Sequence, residues 1–416
     1  MDENKESQGS PEAAAQKSQV ARFEHVLMKE AYEAISNGKF SSAATIFEDL
    51  LRRFGVTLED SQKSVIHSEL GTVLFWLGDY DAAFKHCENA LAYGQNNDQA
   101  YIILGKVATA QFKFALARGY FSKVSDDNPG KHLGFCLVAI KVRDTKTAVT
   151  HLTSAVAMLP RTNIELMVYS AYIYLLKGET KDSVILAREL VSKIKGDPHL
   201  LLLLAEILMT AGHYGEASAI TNQVALSSPE NDQIFAIRAH AAYFEEKLDA
   251  AGNYAHEAVR LNPYNAYAKT ILMKLATRSG NYATAENIGR EILQQSSDYS
   301  LGHANLGDVY FIQGQYELAQ IEYEQTMALM DSQTKGALLR QARMLFIASD
   351  FQGAARILDD LINSHHTYYD DAMCDLALCY DQIGDEKLKE EVVDKMKMRR
   401  TFYHRTEKLL QQFGNK

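Results

Sequence analysis

Proline is scarce in this 416-residue chain, which has six, along with one tryptophan and four cysteines. So few cysteines exclude a disulfide-stapled scaffold and fit a reducing compartment. A positive surplus is missing too. Lys and Arg number 43 against 53 Asp and Glu, a formal net charge of −10, which argues against a protein built to hold nucleic acid. No apolar run is long enough to span a bilayer. The most apolar, Leu200 to Met209, is interrupted by Glu206 and reads as a buried helix. Met1 to Arg22 is polar and holds no apolar stretch of signal-peptide length. Gly-rich phosphate loops and His-Glu-x-x-His metal motifs are absent. Cys374 and Cys379 fall within a helical pattern and read as packing, as do Cys87 and Cys136. These absences lead us to expect a cytoplasmic protein with no membrane insertion, no cofactor and no metal. Hydrophobic residues make up 47% of the chain, ample for a core and too many for a disordered protein.

What is there is periodic. Pro129, Pro160, Pro198, Pro229 and Pro263 recur at steps that average about 34 residues. Gly-x-aromatic recurs at Gly38-Lys39-Phe40, Gly78-Asp79-Tyr80, Gly212-His213-Tyr214, Gly280-Asn281-Tyr282 and Gly314-Gln315-Tyr316. Three residues after each aromatic stands an alanine: Ala43, Ala83, Ala217, Ala285 and Ala319. Leu-Gly pairs occur at Leu70-Gly71, Leu104-Gly105 and Leu306-Gly307, the first two 34 apart.

Three markers on one period resemble the tetratricopeptide repeat family, whose members stack antiparallel helix pairs. The stretch 300–333 carries the pattern best, with Leu306, Gly307, Tyr310, Gly314, Tyr316, Ala319 and Tyr323. The resemblance implies an all-α fold, an α-solenoid superhelix of about eleven units over residues 23–403. We place the units at 24–57, 64–97, 98–128, 129–162, 163–197, 198–231, 232–265, 266–299, 300–333, 335–368 and 370–403. The pattern has physical reasons. Small residues let helix backbones approach closely. Glycine supplies the left-handed conformation that ends the first helix of a pair. Proline is expected to stop the second. Some units depart: Cys136 and Ser183 stand where small repeat residues are expected, and the unit at 370–403 lacks its alanine. Residues 1–22 read as a disordered tail and Gly55 to Lys63 as a longer loop. Residues 385–416 hold nine basic and six acidic residues, with Lys395, Lys397, Arg399 and Arg400 clustered as a solvated helix end. The segment 404–416 is expected to be a polar capping helix and tail.

No catalytic constellation is visible, so an enzyme is not expected. In the resembled family the concave face is lined by the first helix of each pair. The corresponding positions here are Phe75, Trp76, Lys106, Tyr174, Tyr243, Phe244, Lys274, Arg278, Phe311, Ile312, Arg343, Phe346 and Ile347. Exposed aromatics interleaved with basic residues suit anchoring a partner. Some family members clamp a partner's C-terminal carboxylate, but only Asn305 and Arg340 match that pattern, so a clamp is not expected. The leading function is therefore a non-enzymatic scaffold or adaptor holding an extended or helical protein segment in the concave groove. The alternative is a secretion-system chaperone, because Ala31 to Leu51 is similar to the first repeat of bacterial translocator chaperones. A homodimer through the end units is a further expectation.

Overall fold

One residue in every helix pair takes the left-handed backbone that reverses the chain. The series runs Gly38, Gly78, Phe112, Arg143, Gly178, Gly212, Glu246, Gly280, Gly314, Ser349 and Gly384. Glycine adopts this conformation freely, whereas another residue bears about 1–2 kcal/mol of strain. Phe112, Arg143, Glu246 and Ser349 carry that strain at φ values of 56° to 67°. The turn is thus imposed by the fold where the sequence does not favour it.

The computed structural model describes residues 25–330, 334–363, 369–399 and 403–414. The tail expected at 1–22 and the cluster member Arg400 lie outside the described residues. Helix α1 (25–36) pairs with α2 (Phe40–Phe54), and α3 (Asp60–Leu77) with α4 (Tyr80–Tyr93). Next come α5 (Asp98–Ala110) with α6 (Phe114–Ser122), α7 (Pro129–Val142) with α8 (Thr145–Met158), and α9 (Ile164–Leu176) with α10 (Thr180–Val191). Then follow α11 (Pro198–Thr210) with α12 (Tyr214–Ala225), α13 (Asp232–Phe244) with α14 (Leu248–Leu261), and α15 (Ala266–Arg278) with α16 (Tyr282–Gln295). The last pairs are α17 (Ser300–Ile312) with α18 (Tyr316–Leu329), α19 (Lys335–Ile347) with α20 (Phe351–Asn363), and α21 (Tyr369–Ile383) with α22 (Glu386–Met398). Helix α23 (His404–Gly414) packs on α21 and α22. Each helix packs on its pair mate and on the next pair, and the described residues contain no strand. The chain is an all-α solenoid.

Helix starts are written locally. Asn97, Asn163, Asp197 and Asn265 each accept a hydrogen bond from a backbone N–H three residues on, capping α5, α9, α11 and α15. Two prolines correct the expectation that proline ends the second helix. Pro129 and Pro198 are the first residues of α7 and α11, where the missing N–H costs nothing and the fixed φ favours helix. Pairs close through small-on-aromatic contacts. A Cβ on Gly105 would lie 2.5 Å from the Phe121 ring, and one on Gly307 2.7 Å from Tyr323.

The solenoid winds tightly enough for successive turns to touch. Tyr80 donates to Asp232 at 2.8 Å across 152 residues of sequence. Asn262 donates to the Ala110 carbonyl at 3.2 Å and Gln295 to that of Gln111 at 3.0 Å. Phe112 packs edge-on to Tyr299 at 5.4 Å, and Arg118 pairs with Asp298. Helix α11 lies inside this winding, so its residues are buried from Pro198 to Met209, Glu206 included. Glu206 is satisfied there by Lys141 and the Tyr172 hydroxyl.

Candidate functional site

Tight winding covers one of the expected groove residues, and packing between adjacent pairs covers others. Five of them, Phe75, Arg278, Phe311, Arg343 and Phe346, are buried, which corrects the expectation that they face a partner in an open groove. Phe75 is buried between Tyr80 and His199, the latter 5.2 Å away on α11 of the next turn. Phe311 and Phe346 pack against each other at 5.6 Å and are also buried. Arg343, 1% exposed, spends its charge inside: Nε reaches Asp375 at 2.6 Å, Nη1 Asp308 at 2.7 Å and Nη2 Asp371 at 3.2 Å. Lys106 is a strut between pairs, bonded to Glu165 at 2.9 Å. Trp76 is half-buried, packed on Phe40 at 5.3 Å, and Tyr174 is exposed. Ile312 and Ile347 are half-buried. The two residues matching the carboxylate clamp serve the fold instead. Asn305 donates to the Leu301 carbonyl, and buried Arg340 pairs with Asp308. The four cysteines are buried, and burial pushes the Cys87 and Cys374 thiols up to about 12, so neither is a ready nucleophile.

The half-buried Tyr243, Phe244 and Lys274 converge with buried Arg278. Tyr243 and Phe244, at the end of α13, meet edge to face at 5.4 Å. Lys274 of α15 stands 5.7 Å and 5.1 Å over their rings, and Arg278 lies 6.0 Å over Tyr243. Around Tyr243, Phe244 and Arg278 opens a cavity of 460 Å³ between the α11–α12 and α13–α14 turns and the last pair. The far wall brings residues that sequence reasoning missed. Tyr214 stacks on Phe244 at 6.3 Å, Arg399 covers the Tyr369 ring at 4.6 Å, and Tyr403 faces Arg278 at 5.9 Å. Tyr214 had been visible only as the aromatic of a repeat turn. Nothing in the sequence brings Tyr369, Arg399 and Tyr403 to Tyr243, because the contact spans well over a hundred residues.

Charges of both signs rim this mouth. Arg399 pairs with Asp370 at 2.8 Å and approaches Glu246 at 3.7 Å, and Arg278 meets Glu246 at 3.3 Å. Burial raises the Asp370 carboxyl; Arg399 opposes this, while Asp371 and Glu246 add to it. Asp371 goes the other way, because Arg343 and Arg405 outweigh its burial and hold it below the usual carboxylate range. The mouth can therefore hold an apolar or aromatic group while offering salt-bridge partners at its edge.

The order of pairs, the left-handed turn in each and the small-on-aromatic seams decide the architecture. The chain has the tetratricopeptide-repeat fold. The crystallised Cut9–Hcn1 hetero-tetramer of the APC/C shares it at a TM-score of 0.53, with 13% identity over 92% of this chain and 89% of that one. Yeast Tom70 aligns over 95% of both chains at 13% identity with a TM-score of 0.37. A tetratricopeptide repeat protein from Parabacteroides merdae aligns at 15% identity and a TM-score of 0.37, over 60% of this solenoid and 98% of its own chain. No protein-family model and no curated protein matches the sequence. Among the described residues no helix is long and apolar enough to cross a membrane.

Proposed function

We propose that this solenoid is a non-enzymatic scaffold that holds a segment of another protein at the aromatic mouth. The observation that carries the reading is the convergence of Tyr214, Tyr243, Phe244 and Tyr369 with Arg278 and Arg399 around one cavity of 460 Å³. Tyrosine and arginine gathered in a partly desolvated recess are the usual anchors of a protein interface. The segment it suits carries one large apolar or aromatic side chain flanked by charge, so that the side chain fills the recess and the charges meet Glu246, Asp370 or Arg399 at the rim. Phe75 is covered by His199 of the next superhelical turn, and Phe311 and Phe346 by the adjacent pairs, so the engaged surface is local and does not run the length of the groove.

Photo-crosslinking tests this. A benzophenone side chain at position 214 or 369, used in native extract, is expected to capture a discrete protein set. The same group at exposed Ile185, on the outer helix α10, is expected to miss that set. Tyr214→Ala combined with Tyr369→Ala is expected to abolish capture from a third mouth position while helicity is unchanged. Equal capture from positions 185 and 214 would sink the reading.

A further inference from the structure

A second cavity, of 250 Å³, adjoins the mouth at Thr180, Thr210 and Phe244. Its walls come from seven consecutive pairs, from the α7–α8 turn to the start of α19. Their chemistry is one-sided. Arg143 and Lys274 line it, and among its described lining residues there is no carboxylate. The neighbouring Glu206 is bonded by Lys141 and Tyr172 and attracts Arg143 through space without bonding it, so two cations share this one carboxylate.

Two further observations set this cavity apart. Arg143 is one of four residues that occupy the left-handed turn without being glycine. Phe112 is buried there against Tyr299, and Glu246 pairs with Arg278 and Arg399. Arg143 has the same backbone cost, yet its guanidinium makes no hydrogen bond or ion pair among the described residues. Two residues on, Thr145 is 9% exposed and its hydroxyl has no partner; the buried Thr210 hydroxyl has none either. Buried hydroxyls are nearly always bonded. Here two of them and a guanidinium face one space, and Leu175, Met209 and Leu301 supply an apolar side.

We propose that this second cavity is a binding site for a small amphiphilic anion, a carboxylate or phosphate monoester carried on a compact apolar body. Arg143 supplies the charge, Thr145 and Thr210 donate to the anion or its polar substituents, and the leucine and methionine side chains cover the apolar part. The cavity lies just under the range typical of drug-sized ligands, which favours a small molecule over a chain segment. Because its walls join distant pairs, a bound ligand ties the superhelical turns together and stabilises the whole winding.

The test is calorimetry and thermal unfolding of the full chain with four probes: phenyl phosphate, phenylacetate, benzyl alcohol and phenethylamine. At least one anion is expected to bind tenfold or more tightly than the neutral and cationic probes and to raise Tm. Comparing the two anions assigns phosphate or carboxylate as the head group. Arg143→Gln is expected to weaken that binding tenfold or more, in keeping with loss of a charge-assisted bond. Thr145→Val removes an unpartnered buried hydroxyl, so it is expected to raise the ligand-free Tm and to weaken anion binding about three- to tenfold. A purely structural threonine would show the first effect without the second. Neither variant alters the mouth, so crosslinking at position 214 is expected to persist in both. Binding by none of the probes, equal binding of benzyl alcohol, or full affinity in Arg143→Gln would overturn the proposal.

Discussion

Arg343→Met removes one charge from the most buried ionic cluster among the described residues and leaves the stem volume nearly intact. Arg343 is 1% exposed and bridges Asp308, Asp371 and Asp375, which belong to α17 and α21, while standing 5.0 Å over the Phe311 ring. The same carboxylates are shared with Arg340 and Arg405 and with the hydroxyls of Tyr323 and Tyr403. Deleting one partner of a buried pair costs about 3–5 kcal/mol, because the other charge is left uncompensated. Here Arg340 and Arg405 keep partial hold of the three aspartates, so the lower end, about 3 kcal/mol, is expected. A solenoid distributes stability between neighbouring units, so the loss falls on α17 to α23 and not on the first pairs. Hydrogen exchange read by peptide is the assay. Protection is expected to fall by about two orders of magnitude over 300–410 and to stay within threefold over 60–160. The pH dependence follows with a definite sign. Asp371 has its pKa lowered in the folded state, so its contribution is present above the unfolded carboxylate value and is lost as pH falls through the folded one. The wild-type end is therefore expected to loosen on acidification, with a shallower response in the variant. A uniform loss of protection along the chain, or a loss under threefold at 300–410, would refute the argument.

Three further outcomes are expected. Gly314→Ala costs about 1 kcal/mol by chemical denaturation, because at φ 75° nothing lies within 4 Å of the new Cβ and only the backbone resists it. Gly307→Ala costs more, about 1–3 kcal/mol, since its Cβ meets the Tyr323 ring at 2.7 Å; equal losses for the two would refute the packing account. Asp197→Asn keeps the cap of α11 but flattens the pH response. Burial lifts the Asp197 carboxyl to about 6, against the pull of Lys106, so wild-type stability from this group is full below the unfolded value of about 3.9 and is lost as pH rises through 6. Urea midpoints at pH 4.5 and pH 7.5 check it: the stabilisation by Asn is expected to be larger at pH 7.5, and the opposite order would refute the assignment.

The repeat period and most of its turns were legible in the sequence, although Asp60 to Lys63, expected in a loop, open α3. Glycine at a turn, Asn or Asp at a helix start and a small residue facing an aromatic are all decided within a span of about 34 residues. Even the non-glycine turns at Phe112, Arg143, Glu246 and Ser349 could be placed by counting the period. Their backbone strain could not, because it is imposed by the stack. Proline was misread at Pro129 and Pro198 for a related reason: one residue can end one helix or begin the next, and only the register of the pair decides which.

The inner face was the part no pattern could settle. Phe75, Phe311 and Phe346 stand at the same repeat position as Tyr174 and Tyr243, yet the first three are buried, Tyr243 is half-buried and Tyr174 is exposed. Phe311 and Phe346 are closed over by the adjacent pairs, whereas Phe75 is closed over by His199 through the pitch of the superhelix, a small rotation per pair that accumulates until Tyr80 meets Asp232 and Glu246 meets Arg399. Contacts between adjacent pairs are encoded in neighbouring residues, so composition and period determine them. Contacts between turns depend on the summed geometry of every pair between, and that geometry exists only once the whole chain has stacked.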